Sequence, residues 1–217
     1  IARLSHPNIV TIYDCGHMNY LYYIAMEYVP GENLKQRVKS KGPLSIEELR
    51  RVITQLADAL IYAHSQQVLH RDVKPANVIL RESGDIKVVD FGVAKILSDA
   101  ATFAMVEEDS QRTLVGTPQY MAPEQILGQP LDARTDIYAL GLTIFYLVTG
   151  RTPFDVKKVT DPVEISQMQV HTSFPKPSTL RATLPAKLDE IFIKCTQKNP
   201  NDRYTSVKEF LEDFLQL

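Results

Sequence analysis

Two short motifs hold the residue types that could do chemistry in this chain. The first is HRDVKPAN at residues 70–77, and the second is DFG at residues 90–92. An apolar run follows the first motif and another precedes the second, with Ser-Gly-Asp between them, which predicts a short β-hairpin. The hairpin brings Asp72, Asn77 and Asp90 to one end of a small sheet. Two carboxylates and an amide converging there suit a phosphate donor bound through Mg²⁺, because this ion prefers oxygen ligands and keeps several waters.

The motifs and their order resemble those of the protein kinases. HRDxKPxN and DFG have the mutual spacing of that family, and APE at residues 122–124 closes the segment after them. Lys74, two residues after Asp72, matches the Ser/Thr type, and GTPQYM at residues 116–121 is similar to the substrate-binding turn of the same type. HRDVKPAN and MAPEQ are most similar to the eukaryotic-like Ser/Thr kinases of bacteria. Three motifs in the correct order make this resemblance specific.

The resemblance implies a role for each polar side chain in transferring the γ-phosphate of Mg-ATP to a protein hydroxyl. Phosphoryl transfer depends mainly on positioning and on stabilisation of charge. Asp72 would orient the acceptor hydroxyl and take its proton, and Lys74 would offset the charge that develops on the phosphoryl group. Asn77 and Asp90 would hold the magnesium ions. Thr117 would hydrogen-bond Asp72 and Lys74 and so favour hydroxyl substrates.

ATP and Mg²⁺ are therefore the cofactors that the resemblance implies, and the nucleotide pocket begins before the catalytic motif. By the same resemblance, Met26 would be the gatekeeper residue beside this pocket. An ordinary core position is compatible with this assignment, because a gatekeeper also packs. The backbone groups of Glu27 and Val29 would hydrogen-bond the adenine, and Ile79 would form part of the surface beneath the adenine ring.

The thirty-five residues from the DFG motif to the APE motif correspond to an activation segment. A loop of this length is usually functional or disordered. Thr113 has the spacing of an activating phosphothreonine, four residues before the threonine of the substrate-binding turn, and Thr102 and Ser110 are alternatives. The resemblance implies that Arg71 and Lys95 bind the phosphate.

Other residues receive supporting roles from the resemblance. Glu124 of the APE motif pairs with Arg203, and Asp136 hydrogen-bonds the backbone of the catalytic loop. These three roles are structural, because none of the side chains is expected to touch the substrate. His64 lies near the end of a predicted helix and is more typical of a surface or capping histidine than of a metal ligand.

Two strands are predicted before the catalytic motif. Residues 9–13 and 21–29 are rich in β-branched and aromatic types, which favour strands. The resemblance assigns them to the small lobe of a kinase. It also implies that the ring of His70 stacks with Phe91 and Ile12 in a column that aligns the site. This column is structural and takes no part in the chemistry.

Three helices are well marked in the sequence. Ser45 and Glu48 form a capping box at the start of an amphipathic helix, and Ser206 and Glu209 form a second box before the last helix. Residues 137–148 are almost entirely apolar and predict a helix that is buried on all sides, since the run is too short to span a membrane. The apolar face of the first helix recurs at helical period at Leu49, Val52, Ile53, Leu56, Leu60 and Ala63.

The fold class that follows is mainly α, with the large lobe of a protein kinase preceded by two strands of the small lobe. Residues 1–29 are interpreted as a remnant of the small lobe and hinge. Residues 30–217 are interpreted as the large lobe, with the catalytic loop, the activation segment and a helical core. The nine glycines include no GxGxxG motif, so the glycine-rich loop and the strand lysine are expected before Ile1. Residues 1–217 alone are therefore expected to bind nucleotide weakly and to show no kinase activity. A complete domain would be a two-lobed α+β fold.

Composition narrows the class of partner. A net charge of −2 and a pI near 6.2 argue against binding of nucleic acid. Without a signal peptide or an apolar run of transmembrane length, the kinase region is expected in the cytoplasm with no membrane contact of its own. A membrane tether outside the chain stays open. Cys15 and Cys195 lack metal-ligand spacing and are predicted to be reduced core thiols.

The expected partners are proteins that present Ser or Thr hydroxyls, together with a second copy of the chain for phosphorylation in trans. The main alternative is an inactive fragment or pseudokinase that acts as a binding or regulatory module. The presence of Asp72, Asn77 and Asp90 argues against a degenerate parent protein. A small-molecule kinase of the same fold is a further alternative, and the substrate-binding turn and the APE motif disfavour it.

Overall fold

The structure is a computed structural model that describes residues 4–18, 21–91 and 118–217. Helices dominate this part of the chain, in agreement with the predicted mainly α class. The helices are α1 (Leu34–Lys41), α2 (Ile46–Ser65), α3 (Pro123–Ile126), α4 (Ala133–Thr149), α5 (Pro153–Lys157), α6 (Pro162–His171), α7 (Ala186–Cys195) and α8 (Val207–Phe214). The strands are β1 (Ile12–Met18), β2 (Leu21–Met26), β3 (Glu32–Asn33), β4 (Val78–Leu80) and β5 (Ile86–Val88). Single turns of 3₁₀ helix cover Pro75–Asn77, Pro118–Tyr120, Pro177–Thr179 and Pro200–Asp202.

The described strands form two antiparallel sheets. β1 pairs with β2 in one sheet, and β3, β4 and β5 lie in that order in the other, which contains the predicted hairpin. The prediction of a strand at residues 9–13 is wrong in its position, because β1 lies further along the chain. Ile9 instead bridges Val88 of β5, and the Val10 N–H donates to the Val88 carbonyl at 2.9 Å. Because Ile9 and Val10 are buried there, this apolar run belongs to the β4–β5 hairpin and not to the first sheet.

Helix α4 lies at the centre of the core, as its apolar sequence predicts. Every residue from Thr135 to Val148 is buried, and α4 contacts α2, α7 and α8. Burying one large aliphatic or aromatic side chain contributes roughly 1.5–3 kcal/mol, so this helix and its neighbours hold the scaffold together. None of the helices in the described ranges combines the length and the hydropathy that a bilayer crossing requires.

Helices α4 and α7 approach closely at Gly141. A Cβ atom at this position would lie 2.6 Å from the Cβ of Cys195, so the contact requires glycine. Both cysteines are free thiols. The prediction of core thiols is correct for Cys195, whose burial raises its pKa. It is wrong for Cys15, which is exposed on β1.

The capping boxes have different outcomes. Ser45 accepts from the Glu48 N–H at 3.1 Å, and Glu48 accepts from the Ser45 N–H at 2.9 Å, so the predicted box begins α2. Ser206 accepts from the Glu209 N–H at 3.2 Å, but the Glu209 carboxylate turns to Thr205. The second predicted capping box is therefore wrong in one of its two bonds. The Glu209 carboxylate accepts from the N–H and the hydroxyl of Thr205, both at 2.7 Å, and not from the N–H of Ser206.

Candidate active site

The acceptor side of the site is built around the Asp72 carboxylate. Lys74 Nζ lies 2.6 Å from Asp72 Oδ2. Asn77 Nδ2 donates to the same oxygen at 2.9 Å and to the Asp72 backbone carbonyl at 3.0 Å, because the 3₁₀ turn at Pro75–Asn77 folds Asn77 back onto the loop. The Asp72 side chain is still 36% exposed. A carboxylate that is fixed by two donors and open to solvent can accept the proton of an incoming hydroxyl.

Asn77 and Asp90 lie at the same end of the β4–β5 hairpin. The Val89 N–H donates to the Asn77 carbonyl at 2.9 Å, and Asp90 follows directly with φ of 64°. A left-handed backbone is costly for a residue that carries a Cβ atom, and such strain concentrates at functional sites. Because Asn77 Nδ2 donates to Asp72, its amide oxygen is the side-chain atom left for a cation. This oxygen and the Asp90 carboxylate are ligand types that fit Mg²⁺.

His70 holds the catalytic loop as a neutral imidazole. It is buried, its Nε2 donates to the Val89 carbonyl at 3.0 Å, and its Nδ1 accepts from the Asp72 N–H at 3.2 Å. Only an unprotonated Nδ1 can accept this bond. Burial lowers the pKa of His70, and the nearby carboxylates oppose this effect only in part. The ring centroid lies 4.5 Å from that of Phe91, whereas the contact with Ile12 stays a prediction.

Because burial lowers the pKa of His70, we expect its ring to titrate below the ordinary value of about 6.5. The unfolded chain then takes up this proton before the folded chain does. The contribution of His70 to the free energy of unfolding is complete above about pH 6.5 and is lost as the pH falls below that value. A nuclear magnetic resonance titration of the imidazole checks this expectation. A midpoint above 6.5 would contradict the neutral, buried assignment.

Asp136 of α4 anchors the catalytic loop. This buried carboxylate accepts from the His70 N–H at 2.9 Å and the Arg71 N–H at 2.8 Å, the backbone contacts that the kinase resemblance implies. His64 Nε2 donates to the same side chain at 2.7 Å. Burial by itself raises the pKa of Asp136, but these hydrogen bonds outweigh burial and hold the pKa below its ordinary value. The loop is therefore tied to the core helix through an ionised carboxylate.

Two further side chains support the loop. His64 is a correction to the prediction of a surface or capping histidine, because its side chain is only 14% exposed and bonds Asp136. Helical periodicity shows that a residue is near a buried face, but it does not identify a polar partner on another helix.

Gln125 was not identified from the sequence as a supporting residue. Its Nε2 donates to the Arg71 carbonyl at 2.8 Å. Its place directly after the APE motif was the available signal. Arg71 has φ of 68°, and Asp136 and Gln125 together fix this unfavourable backbone conformation.

The residues predicted to contact adenine lie on or beside β2 and β4. Met26 ends β2 and is 36% exposed, while Val29 and Ile79 are half-buried. The Glu27 N–H donates to the Thr11 carbonyl at 2.8 Å. The carbonyl of Glu27 is therefore the backbone group left for a ligand at that residue. Contact between these residues and a nucleotide stays a prediction.

The segment after β2 contacts the β4–β5 hairpin. Lys87 Nζ lies 2.9 Å from Glu27 Oε2, and this bond holds the pKa of Glu27 below its ordinary value. Gly31 has φ of 150°, and a Cβ atom there would lie 2.4 Å from the Leu80 carbonyl oxygen. Only glycine permits such a close approach. The predicted hinge and the predicted adenine surface are thus held at a fixed separation.

Glu124 and Arg203 form a buried bidentate ion pair. The two N–O distances are 2.8 and 2.9 Å, and the side chains are 3% and 0% exposed. Thr135 also donates to Glu124 at 2.9 Å, and Arg203 donates to three backbone carbonyls in addition. Burial raises the pKa of Glu124, but Arg203 and Thr135 outweigh burial and lower it. The structure therefore joins the APE motif to the 3₁₀ turn before α8.

Part of the predicted site falls in the range 92–117, outside the described residues. It comprises one catalytic residue, two regulatory residues and two alternative phosphorylation sites, which are Thr117, Thr113, Lys95, Thr102 and Ser110. Their roles stay predictions. The described chain resumes at the 3₁₀ turn Pro118–Tyr120, which directly follows the threonine of the substrate-binding turn.

Residues 1–215 match the family model described as "Protein kinase domain". The chain belongs to this family, so the predicted family is confirmed.

Several bacterial serine/threonine-protein kinases are similar to the chain. They include the probable serine/threonine-protein kinase PknB of Lactococcus lactis, which is 39% identical over 213 residues, or 98% of this chain and 32% of the relative. The serine/threonine-protein kinase PrkC of Bacillus subtilis is 37% identical over 212 residues, or 98% of this chain and 31% of the relative. The serine/threonine-protein kinase PknB of Mycolicibacterium smegmatis is 35% identical over 221 residues, or 100% of this chain and 34% of the relative. The chain spans about a third of the length of these curated relatives.

Proposed function

We propose that this chain is the catalytic region of a Ser/Thr protein kinase, and that the protein containing it transfers the γ-phosphate of Mg-ATP to protein hydroxyls. The observation that carries the proposal is the Asp72 carboxylate held by Lys74 and Asn77 at the end of the β4–β5 hairpin. The family match and the names of the bacterial relatives support the same reaction. This intact arrangement favours catalysis over an inactive binding module.

The reaction assigns a separate task to each side chain. When bound, Mg-ATP supplies the phosphoryl group and the metal offsets the charge of the phosphates. Asp72 accepts a hydrogen bond from the acceptor hydroxyl and takes its proton at a carboxylate oxygen. Lys74, already 2.6 Å from this carboxylate, donates to the phosphoryl oxygens as charge develops there. Asn77 and Asp90 would hold the metal through oxygen atoms, and Thr117 would help to orient the acceptor.

The nucleotide would lie between the segment after β2 and the hairpin. The Glu27 carbonyl and the Val29 backbone would bond the adenine, Ile79 would lie beneath it, and Met26 would border the pocket. In this proposal residues 1–29 belong to the small lobe and hinge, and residues 30–217 form the large lobe. A cytoplasmic site of action is proposed because ATP is available there.

Proteins with Ser or Thr acceptors are the proposed partners, and a second copy of the protein is one of them. Thr113 is the proposed activating phosphorylation site. A phosphate carries about −1.5 to −2 charge and would accept charge-assisted hydrogen bonds from Arg71 and Lys95. Arg71 suits this task because Asp136 bonds its backbone N–H and Gln125 bonds its carbonyl. Mass spectrometry of the active protein tests the site, and full activity with Thr113 unmodified would redirect attention to Thr102 or Ser110.

The protein that contains this chain is expected to phosphorylate peptides with a Ser or Thr acceptor and to leave the matched Tyr peptide nearly unmodified. The basis of this expectation is the similarity to the Ser/Thr type, carried by Lys74 two residues after Asp72 and by the GTPQYM turn at residues 116–121. Transfer from Mg-ATP to three peptides that differ only in the acceptor residue is the measurement. The protein with Asp72→Asn serves as the control for contaminating kinases. Equal transfer to Tyr, or nucleotide binding without transfer to any peptide, would contradict the proposal.

A further inference from the structure

The carbonyl of Pro118 is held from two sides. Gln169 of α6 donates to it from Nε2 at 2.9 Å, and the Met121 N–H donates to it at 3.2 Å. Pro118 and Gln169 are buried, so water does not replace either bond easily. This carbonyl begins the described part of the turn that contains residues 116–121. The buried amide of Gln169 therefore helps to fix residues 118–121, the described part of this turn.

The direction of the hydrogen bonds around this amide follows from the groups involved. A carbonyl only accepts, so Gln169 must present its nitrogen to Pro118 and its oxygen elsewhere. Gln169 Oε1 lies 2.6 Å from the hydroxyl of Tyr138, which is fully buried in α4. Burial raises the pKa of Tyr138, and the phenol keeps its proton. Because Tyr138 has a single proton to donate to Gln169, its oxygen is left to accept from another donor.

That donor is Lys198, whose Nζ donates to the Tyr138 hydroxyl at 3.0 Å. The amine also lies 4.0 Å from the centroid of the Phe174 ring. It borders a small cavity of about 70 Å³. Burial, together with the cations Arg203 and Lys157, lowers the pKa of Lys198 to about 7. Lys198 thus forms the outer end of a chain of hydrogen bonds that crosses the core.

We propose that Lys198 is a positioning residue for the acceptor-binding turn and that it acts through Tyr138 and Gln169 on the Pro118 carbonyl. The inference rests on the proposed function, in which residues 116–121 bind the acceptor. An ammonium group only donates, so it directs the Tyr138 proton to Gln169. A neutral amine has a lone pair that competes for the same proton. The charged form of Lys198 is therefore the form that fixes the turn.

Lys198→Met is expected to raise the KM for the acceptor peptide about threefold to tenfold, the range that corresponds to one hydrogen bond. The KM for ATP and kcat are expected to change less than about twofold, since Lys198 contacts neither reactant. Tyr138→Phe keeps the aromatic ring and should produce the same change in peptide KM. The double variant should be no worse than either single variant, because both break the same chain.

Lys194→Met is the matched control. Lys194, at the end of α7, also lies over an aromatic ring, that of Tyr204, and it faces α8 through Glu209. It bonds Glu209 and not Tyr138, so its loss should leave the peptide KM unchanged. An equal rise in peptide KM for Lys194→Met and Lys198→Met would attribute the effect to general destabilisation and overturn the inference.

The pH profile separates positioning from packing. Lys198→Arg keeps a donor that stays charged, so its peptide KM should remain low across pH 6 to 8. The wild-type protein should match Lys198→Arg near pH 6 and show a higher peptide KM near pH 8, where the amine loses its proton. Taking the ratio of the two proteins at each pH removes every pH effect that the two proteins share. Parallel profiles would count against the inference.

Hydrogen exchange at the Met121 amide makes the test independent of activity. This amide bonds the Pro118 carbonyl and should exchange about threefold to tenfold faster in Lys198→Met than in the wild-type protein or Lys194→Met. If the wild-type protein phosphorylates peptides but Lys198→Met has normal peptide KM and normal exchange, the inference fails and the proposed function stands. If the wild-type protein transfers no phosphate, the proposed function fails, and the Met121 exchange rate alone decides the inference.

Discussion

Asp72→Asn is expected to lower the rate of phosphotransfer by about a hundredfold to ten-thousandfold, the usual contribution of a general base. The amide that replaces the carboxylate has nearly the same shape, but it cannot take the proton of the acceptor. Affinity for Mg-ATP should change little, because Asp72 faces Lys74 and the acceptor side of the loop. Phosphotransfer assays and calorimetric titration with Mg-ATP are the two measurements. A normally active Asp72→Asn protein would refute the assignment.

Asp90→Asn is the matched variant for the metal side of the site. Asp90 is proposed to bind Mg²⁺, so this change should weaken nucleotide binding in the presence of the metal as well as lower turnover. Binding of ATP without Mg²⁺ should be affected much less. If both variants lose turnover and keep Mg-dependent binding, Asp90 is not a metal ligand.

Removal of either partner of the Glu124–Arg203 pair is expected to cost about 3–5 kcal/mol of unfolding free energy, because the other charge is then buried without its partner. Arg203→Ala leaves the Glu124 carboxylate 3% exposed beside Thr135. The double variant Glu124→Ala/Arg203→Ala should lose much less than the sum of the two single changes. Denaturant unfolding of the four proteins measures this coupling. Additive losses would show that the pair does not act as a unit.

The Glu32–Lys41 pair provides an internal comparison for this cycle. Its N–O distance is 2.9 Å, close to that of the buried pair, but its side chains are 33% and 63% exposed. Exposed pairs contribute little to stability, because water screens the charges and the side chains lose conformational freedom. The same four-protein cycle on this pair should therefore give a much smaller coupling than the cycle on the buried pair. An equally large coupling would mean that burial does not explain the strength of the Glu124–Arg203 pair.

Local sequence patterns determined a large part of this protein. The spacing of the HRDVKPAN and DFG motifs predicted the β4–β5 hairpin and the convergence of Asp72 and Asn77, since a tight turn leaves few ways to pair two short strands. An apolar run predicted the buried helix α4, and a capping box predicted the start of α2. These features depend on neighbours within a few residues, so periodicity and turn chemistry are sufficient to reveal them.

The tertiary structure decided which distant groups meet. The place of His64 near the end of α2 predicts a surface or capping histidine, and only the position of α4 brings it against the buried Asp136. Ile9 lies in a run whose composition favours a strand of the first sheet, but packing places it beside Val88 of the β4–β5 hairpin. Lys198 gave no signal at all in the sequence. A polar residue reveals its type and its local spacing, whereas its partner depends on how whole helices and strands pack, because burial requires every polar group to find a bond across elements far apart in the chain.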